Sequence, residues 1–78
     1  EWLDMPMFIK KNYISDAAAM NNDNFFYGII ETCKNNRLKI EIGIDNGIVE
    51  KTFNCYNDED IKALQKYFDK IIKINQNR

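Results

Sequence analysis

Apolar and polar positions alternate most regularly over residues 38–55. Leu38, Ile40, Ile42 and Ile44 stand two apart, and beyond Asp45-Asn46-Gly47 the apolar set resumes with Val49, Phe53 and Cys55. A period of two is that of a strand with one buried face. Asn-Gly takes the positive φ angles of a tight type I′ turn, so Asn46 and Gly47 read as the turn residues of a hairpin. Ile44 is then expected opposite Val49, Ile42 opposite Lys51, Ile40 opposite Phe53 and Leu38 opposite Cys55. Lys39, Glu41, Glu50, Thr52 and Asn54 fall on the other face. Lys51 breaks the alternation, and an inward charge at a sheet edge discourages edge-to-edge pairing.

Residues 25–33 read as a third strand, joined to the hairpin through Asn35-Asn36, since asparagine tolerates left-handed backbone. That pairing sets Cys33 beside Leu38, Ile29 beside Ile42 and Tyr27 beside Ile44. It puts Phe26 and Ile30 on the opposite face, as an apolar spot near Gly28 and Gly43. After the hairpin, Asn57 is the expected N-cap of a helix whose first turn carries Asp58, Glu59 and Asp60. Ile61, Leu64, Phe68 and Ile71 follow at helical spacing, and Tyr67, Ile72 and Ile74 widen the stripe.

Near the start of the chain, Ile9, Tyr13, Ala17 and Met20 share one helical face, with Asp4 before Pro6 as a start signal. The competing reading is an extended Met7-Phe8-Ile9 and then a short helix capped by Ser15. The predicted fold is α+β in the order α-β-β-β-α. Residues 24–74 hold a three-stranded antiparallel meander and an amphipathic C-terminal helix packed on one face of it. No repeat or linker interrupts the chain, so residues 1–78 read as a single small globular domain.

Composition narrows the chemistry. The 78 residues are 45% hydrophobic and 29% charged, as in a folded domain, and the net charge of -1 provides no global field toward nucleic acid or an anionic membrane. The absence of histidine removes the commonest general base and zinc ligand. In the three-strand register Cys33 and Cys55 lie about 9–10 Å apart, two strand spacings. A disulfide needs α-carbons within about 7 Å, so two buried thiols are expected. Asp58, Glu59 and Asp60 point in different directions from a helix start, and Asp45-Asn46-Gly47 lacks the remaining ligands of a calcium loop. No metal, cofactor or small-molecule substrate is expected, and the chain does not read as an enzyme.

Two surface features remain. Trp2, Leu3, Met5, Met7 and Phe8 gather aromatic and sulfur-bearing side chains near the terminus, and with Phe26 and Ile30 they form the expected partner-binding set. Lys62, Lys66, Lys70 and Lys73 line the outer face of the last helix, where they would meet phosphates or an acidic protein. The order helix, three strands, helix is also that of double-stranded RNA-binding domains. Those carry lysines where this chain has Asp58-Glu59-Asp60, so no membership is drawn from it.

The longest apolar run, residues 25–30, falls far short of the roughly 20 residues that span a bilayer. Glu1 and Pro6 also depart from the basic-then-apolar order of a secretion signal, so a cytoplasmic protein is expected. Nine lysines against two arginines, with abundant asparagine and isoleucine, suit an AT-rich coding sequence such as that of a phage or mobile element. The function expected is a small non-catalytic protein-binding module of inhibitor, immunity, anti-defence or small-subunit type, with a protein partner or a second copy of itself. The alternative is a nucleic-acid-binding module that uses the lysine ridge.

Overall fold

The computed structural model describes residues 6–76. The elements run β1 (Pro6–Lys10), α1 (Lys11–Ala19), α2 (Asp23–Asn36), β2 (Lys39–Gly43), β3 (Val49–Asn54) and α3 (Asp58–Gln76). The fold is α+β, with three helices and a three-stranded mixed sheet in the order β1-β2-β3. β1 pairs with β2 in parallel, and β2 with β3 antiparallel. Parallel neighbours need a crossover, and α1 and α2 supply it.

Two expectations are corrected here. Residues 25–33 belong to helix α2, not to a strand, and the third strand is β1 at the other side of β2. Phe26, Ile29 and Cys33 are the buried positions of α2, with Phe25 and Ile30 packed against them, a set that shares one side only at helical spacing. Asn22 opens the helix, its side chain accepting from the Phe25 amide at 3.3 Å, and Asp23 lies in the positive first turn. Arg37 follows its last turn in left-handed backbone, φ 49° and ψ 52°, and donates its amide to the Cys33 carbonyl at 3.2 Å.

The N-terminal stretch follows the competing reading, in that extended backbone precedes a short helix. Ile9 sits in β1, Tyr13 and Met20 are exposed, and α1 buries Ile14, Ala17 and Ala18 instead. α1 starts directly at Lys11 rather than at Ser15. It closes on Asn21 at φ 54°, where the amides of Asn21 and Asn22 bond the carbonyls of Ala18 and Ala17 at 3.2 and 2.9 Å. This is a Schellman closure, built on the asparagine tolerance for left-handed backbone.

In the hairpin Ile40 faces Phe53 and Ile42 faces Lys51, as the alternation predicts. The turn differs. The Gly47 amide donates to the Ile44 carbonyl at 2.9 Å and the Ile44 amide to the Ile48 carbonyl at 3.1 Å, with Gly47 at φ +84°. Asp45, Asn46 and Gly47 therefore form a three-residue loop ending in a left-handed glycine. The added loop residue is absorbed by a bulge past Ile42, so Gly43, not Ile44, faces Val49. Gly43 is fixed by this bulge. A Cβ there would run into the Ile48 carbonyl oxygen, with the Val49 Cα at 3.0 Å.

The core lies between one face of the sheet and the helices. Ile9, Ile40, Ile42 and Phe53 meet Ile14, Ala17 and Ala18 of α1, Phe26 and Ile29 of α2, and Leu64 and Phe68 of α3. The Phe26 and Phe68 rings are edge-on with centroids 5.0 Å apart. α3 begins as expected on Asn57, whose side chain accepts from the Glu59 amide at 3.0 Å. Asp60 accepts from the Asn54 amide at 2.8 Å, tying the helix start to the end of β3. Ile74, expected in the buried stripe, is exposed.

Cys33 and Cys55 are joined in a disulfide, with α-carbons 5.2 Å apart. The expectation of two separate thiols fails because Cys33 is carried by the C-terminal part of α2, which meets the residue just after β3, and not by a strand two places away.

Candidate functional site

The expected partner-binding set does not assemble as one patch. Phe26 is 4% exposed, at the centre of the core, and Ile30 is half-buried against it, so the apolar spot assigned to them on the sheet is absent. Once residues 25–33 wind as a helix, both side chains turn inward. Met7 is half-buried and packs on the core. Phe8 is 37% exposed on the opposite sheet face, in a row with Glu41 and Thr52. Trp2, Leu3 and Met5 lie outside the described residues.

An apolar surface forms elsewhere, at the hairpin end. Ile44, Ile48 and Val49 are 39%, 52% and 41% exposed around the turn. Ile44 and Val49 are expected in the core by alternation, but the bulge and the longer loop carry them past it. Ile48 carries no earlier signal beyond its place after Gly47. Two ion pairs hold this end against the β1–α1 junction: Lys10 Nζ to Asp45 Oδ1 at 3.8 Å and Lys11 Nζ to Glu50 Oε1 at 3.1 Å. The Glu50 carboxylate, by accepting that hydrogen bond and by its charge, holds the Lys11 ammonium above its ordinary pKa. Such exposed pairs add little stability. A shallow cavity of about 420 Å³ lies beside Asn12, Ile44, Asp45 and Asn46.

Lys62, Lys66, Lys70 and Lys73 are all exposed along α3, and among the described residues none of the four is ion-paired. A hollow of about 350 Å³ lies between Glu59, Lys62, Ala63 and Lys66. At the end of the sheet away from the turn, Lys34, Arg37 and Lys62 border a second cleft of about 400 Å³, walled by Cys55 and Ile61.

Among the described residues Tyr67 is the other group with a shifted pKa, raised chiefly because burial disfavours the phenolate. Both cysteines are bridged, so neither offers a free thiol. Among the described residues there is no group of three or more His, Cys, Asp or Glu side chains placed to hold a metal ion. No described helix is long and apolar enough to cross a membrane. Compared with known protein families, with curated proteins and with solved structures, the chain matches none.

Proposed function

We propose that the chain is a non-catalytic protein-binding module, of the kind used by inhibitors, immunity proteins and small subunits, and that it engages its partner with the hairpin end. The observation that carries this reading is the exposure of Ile44, Ile48 and Val49 around a turn flanked by two ion pairs. Branched aliphatic side chains left this exposed at a hairpin tip are pre-positioned for contact. The charges beside them are paired, so the rim is polar but close to neutral. This suits a partner with an apolar patch of its own rather than a strongly charged one.

Both sheet edges are blunted against strand addition. β1 begins with Pro6, which lacks an N–H, and β3 carries the bulge and Lys51. That favours a different protein docking on the tip over a second copy joined edge to edge. The disulfide favours an oxidising compartment over the cytoplasmic placement expected from the sequence.

The test is site-specific photocrosslinking from positions 44 and 48, with position 27 on the exposed side of α2 as control. One protein captured from both tip positions and not from 27 is expected. Its purified form should bind the chain and lose at least about tenfold in affinity with Ile48→Asp, as for a central contact. Unchanged binding by Ile48→Asp would overturn the reading. A concentration-dependent dimer abolished by the same substitution would make the partner a second copy.

A second reading, nucleic-acid binding along α3, rests on the four exposed lysines without described ionic partners. It requires oligonucleotide binding that weakens steeply between about 50 and 200 mM salt and is lost when Lys62, Lys66 and Lys70 become glutamate.

A further inference from the structure

Three cations from two helices and the turn between α2 and β2 converge on one cleft. Lys34 comes from the last turn of α2, Arg37 from the residue after it, and Lys62 from the start of α3. None is ion-paired among the described residues, whereas Lys10 and Lys11 both are. Among the described residues Asp58 is the one carboxylate in the lining, so they give the cleft a local charge of +2 in a chain whose net charge is -1. The half-buried Ile61 gives it an apolar side, with the buried Cys55 beneath. The disulfide fixes its shape, because it binds the turn that carries Lys34 to the segment that leads into α3.

We propose that this cleft binds a phosphomonoester: a dianionic phosphate held by Lys34, Arg37 and Lys62, with a small organic body against Ile61. A guanidinium and two ammonium groups match a dianion with several acceptor oxygens better than a single carboxylate, which would leave charge uncompensated. The volume of about 400 Å³ is that of a small-ligand site. The site lies at the opposite end of the sheet from the hairpin tip and does not rest on the protein-binding reading.

The experiment is an NMR titration of the ¹⁵N-labelled chain with phenyl phosphate, with ionic strength held constant by sodium chloride and with benzoate as the monoanionic comparison. Saturable shifts confined to the amides of Lys34, Arg37, Cys55, Lys62 and their neighbours are expected, with benzoate weaker. Arg37→Asn, which keeps a residue tolerant of left-handed backbone, and Lys62→Gln should each weaken binding about tenfold, the equivalent of one charge-assisted hydrogen bond. Lys34→Gln gives a third variant in case either perturbs the fold, and Lys70→Gln on the outer ridge should leave binding unchanged. Shifts that do not saturate, that spread equally over Lys66, Lys70 and Lys73, or that benzoate reproduces at equal affinity would overturn the proposal.

Discussion

Reduction of the Cys33–Cys55 bridge is expected to remove a large share of the stability of this domain. The bridge closes a loop of sequence separation 22. The chain-entropy relation gives about 11 cal/mol/K for such a loop, or about 3.4 kcal/mol at 25 °C. A chain of 78 residues has a total stability of roughly 4–12 kcal/mol at the usual 0.05–0.15 kcal/mol per residue. The bridge therefore accounts for a quarter or more of it. Urea unfolding followed by circular dichroism, with and without a reductant, measures the difference directly. With a slope of roughly 1 kcal/mol/M for so small a domain, the midpoint should fall by about 3 M. The Cys33→Ala/Cys55→Ala double variant should fall at least as far, since it also leaves a void where both sulfurs were buried. Coincident midpoints for oxidised and reduced protein, or two reactive thiols in the native air-oxidised chain, would refute this reasoning. The second result would also remove the support for an oxidising compartment.

Gly43→Ala should destabilise by about 1–3 kcal/mol through its clash with the Ile48 carbonyl, while Gly28→Ala, with open space around it on α2, should stabilise by about 0.5–1 kcal/mol; thermal unfolding of the pair checks both signs. Phe26→Ala should cost about 3–5 kcal/mol, as a core phenylalanine does, and a negligible loss in denaturant unfolding would restore it to the surface. Tyr67 should ionise above its ordinary pH range when phenolate absorbance is followed against pH, and Tyr67→Phe should delete that late step. Because its folded pKa lies above the unfolded value, the unfolded chain releases that proton first; this contribution is full below about pH 10 and is lost as pH rises through the folded pKa.

What the sequence disclosed depends on how local the determining contacts are. The hairpin register at Ile40 and Ile42 was legible because strand alternation and a turn signal sit within a few residues of each other. The loop was one residue longer than Asn-Gly implies, but the bulge restored the inner register and displaced only Ile44 and Val49. α3 was legible for the same reason, since Asn57, the first-turn carboxylates and the spacing of Leu64 and Phe68 are all local. β1 was not. A parallel strand has no turn to announce it, and its five residues gain their partner only after two helices have packed. Residues 25–33 were ambiguous because a short apolar run fits both periods. The deciding signals were Asn22-Asp23 as a helix start and the fact that only a helix brings Phe26, Ile29 and Cys33 to one side.

The misplacement of that one segment accounts for the changes around Phe26 and the cysteines. Read as a strand, it sends Phe26 and Ile30 to an open face and separates the cysteines by two strand spacings. Wound as α2, it carries Phe26 into contact with Phe68 and brings Cys33 to Cys55. The sheet then has two chemically different ends. At one, a bulge and a three-residue loop push aliphatic side chains into solvent; at the other, a covalent bridge lies beside a cleft with three cations that have no ion-pair partner among the described residues. β2 between them is five residues long, roughly 17 Å at strand rise, beyond the range over which packed side chains ordinarily couple. An apolar partner at the tip and an anion in the cleft are therefore separate claims about separate surfaces, and each stands or falls on its own substitutions.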